Sequence, residues 1–151
     1  MKLKDLVGSG DKIMLFTLPF IAAGLAANIL VPSAFSVGGP TGYLKVASIV
    51  VLVPGVAVWF WSVALILTRT SRGKLITTGP YALFKHPLYT GVSLLVLPWV
   101  GFLLNTWLGA LVGVALYTAS RIFSGREEAS LSKTFGSAWA SYLKTVMVPW
   151  L

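Results

Sequence analysis

Long apolar stretches alternate with short polar ones along this chain, and four apolar stretches approach the length of a membrane-spanning helix. A helix needs about 20 mainly apolar residues to cross the hydrocarbon core of a bilayer. The predicted spans cover residues 13–30, 46–67, 89–104 and 107–123. Asn105-Thr106 alone separates the last two, so we expect them to form a tight antiparallel hairpin.

The residues after the last span follow a different pattern. Large apolar residues recur there at intervals of three and four, with serines and lysines between them, which is typical of an amphipathic helix. These residues are Leu131, Phe135, Trp139, Tyr142 and Val146. The pattern predicts a helix over 126–146, interrupted at Gly136, that lies on the bilayer surface or folds over the bundle. The predicted fold is therefore an all-α membrane bundle of about four transmembrane helices with a C-terminal amphipathic helix.

Composition supports one membrane domain over 1–151. Hydrophobic residues make up 56% and charged residues 11% of the 151 residues, whereas soluble domains carry about 25% charged residues. We divide the chain into a two-span part, 1–68, and a second part, 69–151, with a polar loop, the hairpin and the C-terminal helix. The chain has no cysteine, which excludes disulfides, thiolate metal sites and a cysteine nucleophile; no metal site is predicted.

Basic residues lie mainly on one side of the predicted spans. They precede the first span, connect the second to the third and follow the fourth, whereas Lys45 alone lies on the other side. Because cytoplasmic loops retain Lys and Arg, both termini are predicted to be cytoplasmic. The net charge of +8 then indicates contact with anionic membrane lipid, and no nucleic-acid partner is predicted.

Two segments allow a second interpretation. The first span resembles a signal peptide at its alanine-rich end, but Asp5 and Asp11 weaken the basic region that such a peptide needs. Gly109 and Gly113 form a small-xxx-small pair. We expect this pair to let helices pack closely within the bundle, with dimerisation through the same face as the alternative, so the oligomeric state stays open.

Candidate chemistry lies at two places that the predicted hairpin brings together. The loop before the third span contains the single histidine, His86, and is apolar and aromatic for a cytoplasmic loop. Glu127 and Glu128 follow the fourth span, and no predicted span contains an acid. Taken separately, each segment has a simpler explanation. The His86 loop is then a basic loop on the cytoplasmic side, and Glu127-Glu128 is the acidic first turn of a helix. In a hairpin, however, both return to one face of the membrane.

The same residues form ordered motifs that resemble a known superfamily. Thr77-Thr78-Gly79-Pro80-Tyr81 is followed by Lys85-His86-Pro87-Leu88-Tyr89-Thr90-Gly91, and later by a Glu-Glu motif that extends from Glu127 to Tyr142. Together they resemble the isoprenylcysteine carboxyl methyltransferases and phospholipid methyltransferases. The resemblance covers about the C-terminal half, residues 73–146.

The resemblance implies an S-adenosylmethionine-dependent methyltransferase with its cofactor at the cytoplasmic end of the bundle. Consistent with this, the sequence has no Gly-rich turn of the Rossmann type. The implied cofactor-binding residues are Gly79, Tyr81, Lys85, His86, Pro87, Tyr89, Glu127 and Glu128. The implied catalytic residues are Arg121 at the reacting centre, Glu127, and His86, which becomes a base if the acceptor must lose a proton. The C-terminal helix is expected to cover the pocket.

The acceptor is left open by three departures from the family pattern. Lys85 stands where the family usually has Arg, Ala82 where it often has a basic residue, and Trp139 where it usually has Tyr. Lys keeps the charge of Arg but cannot bind a carboxylate in bidentate fashion. The resemblance therefore implies a lipidic or small hydrophobic methyl acceptor, either a carboxylate of the isoprenylcysteine type, a phospholipid amine, or a thiol or phenol.

Three other functions were weighed against this one. A proton-coupled four-helix transporter needs an ionisable group inside the membrane, and the predicted spans hold no acid. A sterol-reductase-like enzyme would bind NADPH in a related bundle, but this chain is short for that class. A non-catalytic membrane scaffold would keep the fold and bind neither cofactor.

Overall fold

The computed structural model describes residues 10–39, 41–69 and 73–150. This part of the chain is helical, with one isolated bridge between Phe84 and Val148 and no strand. The helices are α1 (Gly10–Leu30), α2 (Pro32–Phe35), α3 (Gly42–Arg69), α4 (Pro80–Leu83), α5 (Pro87–Leu103), α6 (Leu108–Phe135) and α7 (Ser137–Thr145). The predicted all-α class is confirmed. Lys2, Lys4 and Arg72 belong to the basic residues that predict the topology, and Asp5 entered the signal-peptide argument; these four residues lie outside the described residues.

Three of these helices are long and apolar enough to cross a bilayer, namely α1, α3 and α6. Many large apolar side chains on them are exposed, including Leu15 and Val53, as expected for helices that face lipid. The fourth predicted span corresponds to α5, which is shorter at 17 residues. The structure therefore supports an integral membrane protein with three helices of spanning length, and the count of four spans is not confirmed.

The predicted hairpin between the third and fourth spans is confirmed. Helix α5 ends at Leu103, α6 begins at Leu108, and the two helices pack against each other. Asn105 adopts a left-handed conformation with φ of 59°, which an Asn side chain tolerates better than most. Its side-chain oxygen accepts a 2.8 Å hydrogen bond from the Gly39 backbone amide, which ties this turn to the α2–α3 connection.

Glycines bring α5 close to its neighbours. A methyl group at Gly109 would overlap the carbonyl oxygen of Leu97, and one at Gly113 would overlap that of Ser93. The small-xxx-small pair is therefore used for packing within the bundle, as the first of its two interpretations predicted. The contacted part of α5, Gly91–Val96, is π-helical.

Helix α6 differs from the prediction because it continues far beyond Phe123. Its 28 residues span about 42 Å at 1.5 Å per residue, whereas the hydrocarbon core is about 30 Å thick. The charged residues of α6 all lie from Arg121 onward. The part of α6 that is free of charged residues therefore precedes Arg121, and the two glutamates lie in the extension of the helix beyond it.

The separate amphipathic helix predicted over 126–146 is wrong in its bounds. Its first ten residues belong to α6, and α7 supplies the rest. Helix α6 continues to Phe135 because residues 124–135 contain no proline. The first residue whose conformation ends the helix is Gly136, where φ is 48°. Because side chains other than glycine rarely adopt this conformation, Gly136 ends α6 and turns the chain back over the bundle.

Candidate active site

The loop between α3 and α5 is ordered by short structural features around its two prolines. Pro80 begins α4 and Pro87 begins α5, positions where a missing N–H costs no helical hydrogen bond. Gly79, with φ of 66°, lies so close to Trp61 that a Cβ would be 3.0 Å from the indole ring. His86 has a non-helical ψ of 61°, as expected before a proline.

Glu128 joins this loop to α6. One of its carboxylate oxygens, Oε1, lies 2.8 Å from Lys85 Nζ and 3.0 Å from His86 Nε2. The hydrogen bond from His86, aided by Lys85, lowers the pKa of Glu128 to about 2, although partial burial opposes the shift. The structure thus places His86 in direct contact with the Glu-Glu motif, as the hairpin argument predicted.

Glu127 is in a different environment from its neighbour. Within the described residues, its Oε2 atom is buried and has no hydrogen-bond partner. Burial raises the pKa of Glu127, the nearby Glu128 charge raises it further, and His86 partly offsets the effect. An ionised carboxylate in this position is costly unless a cation or a hydrogen-bond donor satisfies it.

Glu127 lines a cavity of about 240 Å³, somewhat below the range of about 300–1,000 Å³ common for ligand pockets. Its walls come from the end of α3, the loop, the start of α5, the α6 extension and α7. The lining residues are Val63, Ile66, Leu67, Lys74, Leu75, Ile76, Tyr81, Lys85, His86, Leu88, Tyr89, Glu127, Leu131, Phe135, Trp139 and Tyr142. Most of this surface is apolar or aromatic, so the few charged groups determine which ligand fits.

Helix α7 and the residues after it close one side of the cavity. Trp139 and Tyr142 are 5% and 4% exposed, and burial raises the pKa of Tyr142 to about 12. The backbone amides of Met147 and Val148 donate hydrogen bonds of 3.1 and 2.9 Å to the carbonyls of Ala82 and Leu83. The expectation that a C-terminal helix covers this region is confirmed.

The predicted site residues fall into three groups. Tyr81, Lys85, His86, Tyr89 and Glu127 line the cavity. Gly79, Pro87 and Glu128 are not among the lining residues, and Glu128 contacts two of them, Lys85 and His86. Arg121 is exposed on α6 and does not line the cavity, so its catalytic role stays a prediction.

Eleven of the sixteen lining residues are not among the predicted site residues, and five of the eleven are a lysine or belong to the C-terminal helices, namely Lys74, Leu131, Phe135, Trp139 and Tyr142. Four of them belong to the apolar face of the predicted amphipathic helix, so their spacing was the signal that could have placed them in the site. Lys74 had no comparable signal, because a lysine in a cytoplasmic loop is ordinarily a topology determinant.

Fold and cavity together define an integral membrane protein with a partly open, mostly apolar site at one end of its helical bundle. A model of the isoprenylcysteine carboxyl methyltransferase (ICMT) family matches residues 44–133. The match covers more than half of the chain, and the chain belongs to this family. Membership implies a membrane methyltransferase, and such enzymes generally use S-adenosylmethionine. No curated protein and no solved structure matches the chain in the corresponding comparisons.

Proposed function

We propose that this chain is a membrane methyltransferase that binds S-adenosylmethionine in the α3–α7 cavity and methylates a lipidic or small hydrophobic acceptor. One observation carries the proposal: a buried carboxylate oxygen of Glu127 has no hydrogen-bond partner among the described residues. It lines a cavity whose other walls are largely apolar and aromatic. Such a site suits an amphipathic cation better than a neutral ligand or an anion.

The residues present fit the cofactor by their chemistry. S-adenosylmethionine supplies an electrophilic methyl group on a sulfonium, and its amino-acid end carries an ammonium. Glu127 provides the negative charge that both cations need. The aromatic side chains of Trp139, Tyr142 and Phe135 provide flat apolar surfaces of the kind on which a purine ring stacks.

The chain's own residues act by positioning and by excluding water. Lys85 and His86 hold Glu128, and this contact fixes the loop against α6 so that Glu127 faces the cavity. Alignment of two reacting groups in a site without water lowers the activation free energy by several kcal/mol. With S-adenosylmethionine bound, a carboxylate acceptor would accept the methyl group without losing a proton, so the chain would need to supply no base.

Arg121 and His86 have roles that depend on the acceptor. Arg121 is exposed on α6 two helical turns before Glu128, and we assign it to an acceptor carboxylate or phosphate that approaches from the membrane side. An amine or thiol acceptor must lose a proton, and His86 is the base proposed for it. Its Nε2 is engaged with Glu128, so this role requires a rearrangement of that contact.

The proposed topology has four spans, with α5 as the shortest, and both termini in the cytoplasm. Its support is the charge distribution, since Arg121, Arg126, Lys133 and Lys144 lie at the same end of the bundle as the cavity. The polar cofactor then enters from the cytoplasm, whereas the acceptor enters from the bilayer. The partners proposed for the chain are accordingly membrane lipid and a hydrophobic acceptor.

The direct test is transfer of a labelled methyl group from S-adenosylmethionine to a lipid extract of the host, catalysed by the purified protein. We expect a labelled, solvent-extractable product that is missing with Glu127→Gln. A parallel thermal-shift assay should show stabilisation by S-adenosylhomocysteine and none by NADPH. Stabilisation by NADPH alone would support a reductase, and stabilisation by neither would support a scaffold or a transporter.

A further inference from the structure

Two residues of opposite charge, Lys74 and Glu127, line the cavity and form no ion pair with any residue that the structure describes. Among the residues that the structure describes, the ion pairs are Lys85 with Glu128 and His86 with Glu128. Those pairs engage Lys85 and His86 with Glu128 and do not include Glu127. Lys74 also lines the cavity, and it takes part in neither pair.

Lys74 is held at the cavity by its backbone. Its amide donates a 3.2 Å hydrogen bond to the carbonyl of Arg69 at the end of α3. The neighbouring cation, Arg69, is directed elsewhere, since its Nη1 donates a 3.0 Å hydrogen bond to Thr78 Oγ1. Lys74 is exposed and the nearby Ile76 is buried, so Lys74 belongs to the solvent-exposed edge of the cavity lining rather than to its buried part.

We propose that Lys74 binds the carboxylate of the amino-acid end of the cofactor while Glu127 binds its cationic part. An α-amino acid carries one positive and one negative charge on adjacent groups, and the cavity lining has one residue of each sign that forms no ion pair within the described part of the chain. The assignment rests on the proposed cofactor and adds a residue outside the motifs that carry the family resemblance. It makes Lys74 a binding residue, with no part in the methyl transfer itself.

Lys85 is a weaker candidate for this role. Its Nζ already lies 2.8 Å from Glu128 and its side chain is 11% exposed, so a ligand carboxylate would have to displace an existing ion pair. Lys74 needs no such exchange. The other source of a carboxylate is the methyl acceptor, and the experiment below separates the two sources.

Calorimetric titration of the purified full-length protein with two probes provides the test. One probe is S-adenosylmethionine, and the other is its decarboxylated analogue, which keeps the sulfonium and the ammonium. For an exposed ion pair we expect Lys74→Met to weaken binding of S-adenosylmethionine by about twofold to fivefold. The same variant should bind the decarboxylated probe as the unmodified protein does, and added salt should erode the preference for S-adenosylmethionine.

Two further variants are the controls. Lys74→Arg keeps the positive charge and should retain most of the affinity. Lys144→Met removes an exposed lysine of α7 that is not among the cavity-lining residues, and it should change binding of neither probe.

Three results would overturn the inference, and they differ from failure of the proposed function. Equal loss of affinity for both probes in Lys74→Met would show that Lys74 acts through the fold. Unchanged affinity for both, with a raised KM for a carboxylate acceptor, would assign Lys74 to the acceptor. Unchanged affinity with an unchanged KM would leave Lys74 without a role. By contrast, an unmodified protein that binds neither probe would refute the proposed cofactor itself.

Discussion

The hydroxyl of Tyr142 donates a 2.8 Å hydrogen bond to the backbone carbonyl of Tyr81. This bond joins helix α7 to the short helix α4, two elements that are 61 positions apart in the chain. Both side chains line the cavity. The bond therefore fixes the distance between the C-terminal cover and the loop that carries the family motif.

Removing this bond should loosen the cover while leaving its apolar packing in place. In Tyr142→Phe the ring stays and the hydroxyl is lost, so we expect a stability loss of about 0.5–1.5 kcal/mol and weaker cofactor binding. Thermal unfolding in detergent and calorimetry measure the two effects. Tyr43→Phe is the control, because Tyr43 is 91% exposed. Equal behaviour of the two variants would show that the bond contributes nothing.

Glu127→Gln should stabilise the protein in the absence of ligand. Because burial raises the pKa of this carboxyl, the ionised form costs stability at neutral pH, and a neutral amide of the same shape avoids much of that cost. We expect a gain of about 1 kcal/mol, or roughly 2–4 °C in Tm for a chain of this size. Glu128→Gln should have the opposite sign, since it breaks two contacts. A lower Tm for both variants would contradict the distinction between the two glutamates.

Acid should weaken the contact between the loop and α6 in a defined pH window. The pKa of Glu128 falls from 4.5 to about 2 in the folded state, so the carboxylate stabilises the fold above about pH 4.5. That contribution declines as the pH falls from about 4.5 toward 2. Melting curves across this window should show a smaller decline for Lys85→Met than for the unmodified protein, with Lys144→Met as the control. An unchanged decline in Lys85→Met would argue against the ion pair.

Two glycines of α6 should respond differently to the same substitution. A Cβ at Gly109 would overlap the α5 backbone, whereas a Cβ at Gly125 would meet nothing within 4 Å. Gly109→Ala should lower the Tm by several degrees, because α5 and α6 must separate. Gly125→Ala should be neutral or stabilising by up to about 1 kcal/mol, from helix propensity. Similar melting of the two variants would contradict the close α5–α6 approach.

The proposed orientation can be tested because the chain has no cysteine. A single cysteine introduced at Lys144 should react with a membrane-impermeant maleimide from the cytoplasmic side. One introduced at Lys45 should react from the opposite side. Labelling of both positions from one side would rule out the proposed topology.

The sequence predicted the elements that follow from the local pattern of apolar and polar residues. It did not predict a helix end where the same residues are compatible with both a boundary and a continued helix. The α5–α6 hairpin followed from two polar residues between apolar runs. The end of α6 did not follow, because the charges after Phe123 suggested a boundary although they permit a helix. Glu127 and Glu128 are identical in pattern, and only the three-dimensional position of His86 and Lys85 decides which of the two stays unpaired.

Lys74 shows the same limit for the site. The motifs predicted the cavity wall formed by Tyr81, His86 and Tyr89, since these residues occur at recognisable spacings. A lone loop lysine has no spacing to recognise, and its position depends on how the end of α3 meets the loop. Contacts between distant elements were therefore predictable where a hairpin or a motif connected them, as for His86 and Glu128, and not where a residue such as Lys74 lies outside both.

Equilibrium binding of labelled S-adenosylmethionine to the purified protein, with Glu127→Gln alongside, tests the central claim most directly. We predict one site per chain in the unmodified protein and at least about tenfold weaker binding in Glu127→Gln, as expected when a buried charge loses its partner. Equal affinity of the two proteins, or no binding by the unmodified protein, would contradict the assignment of this cavity to the methyl donor.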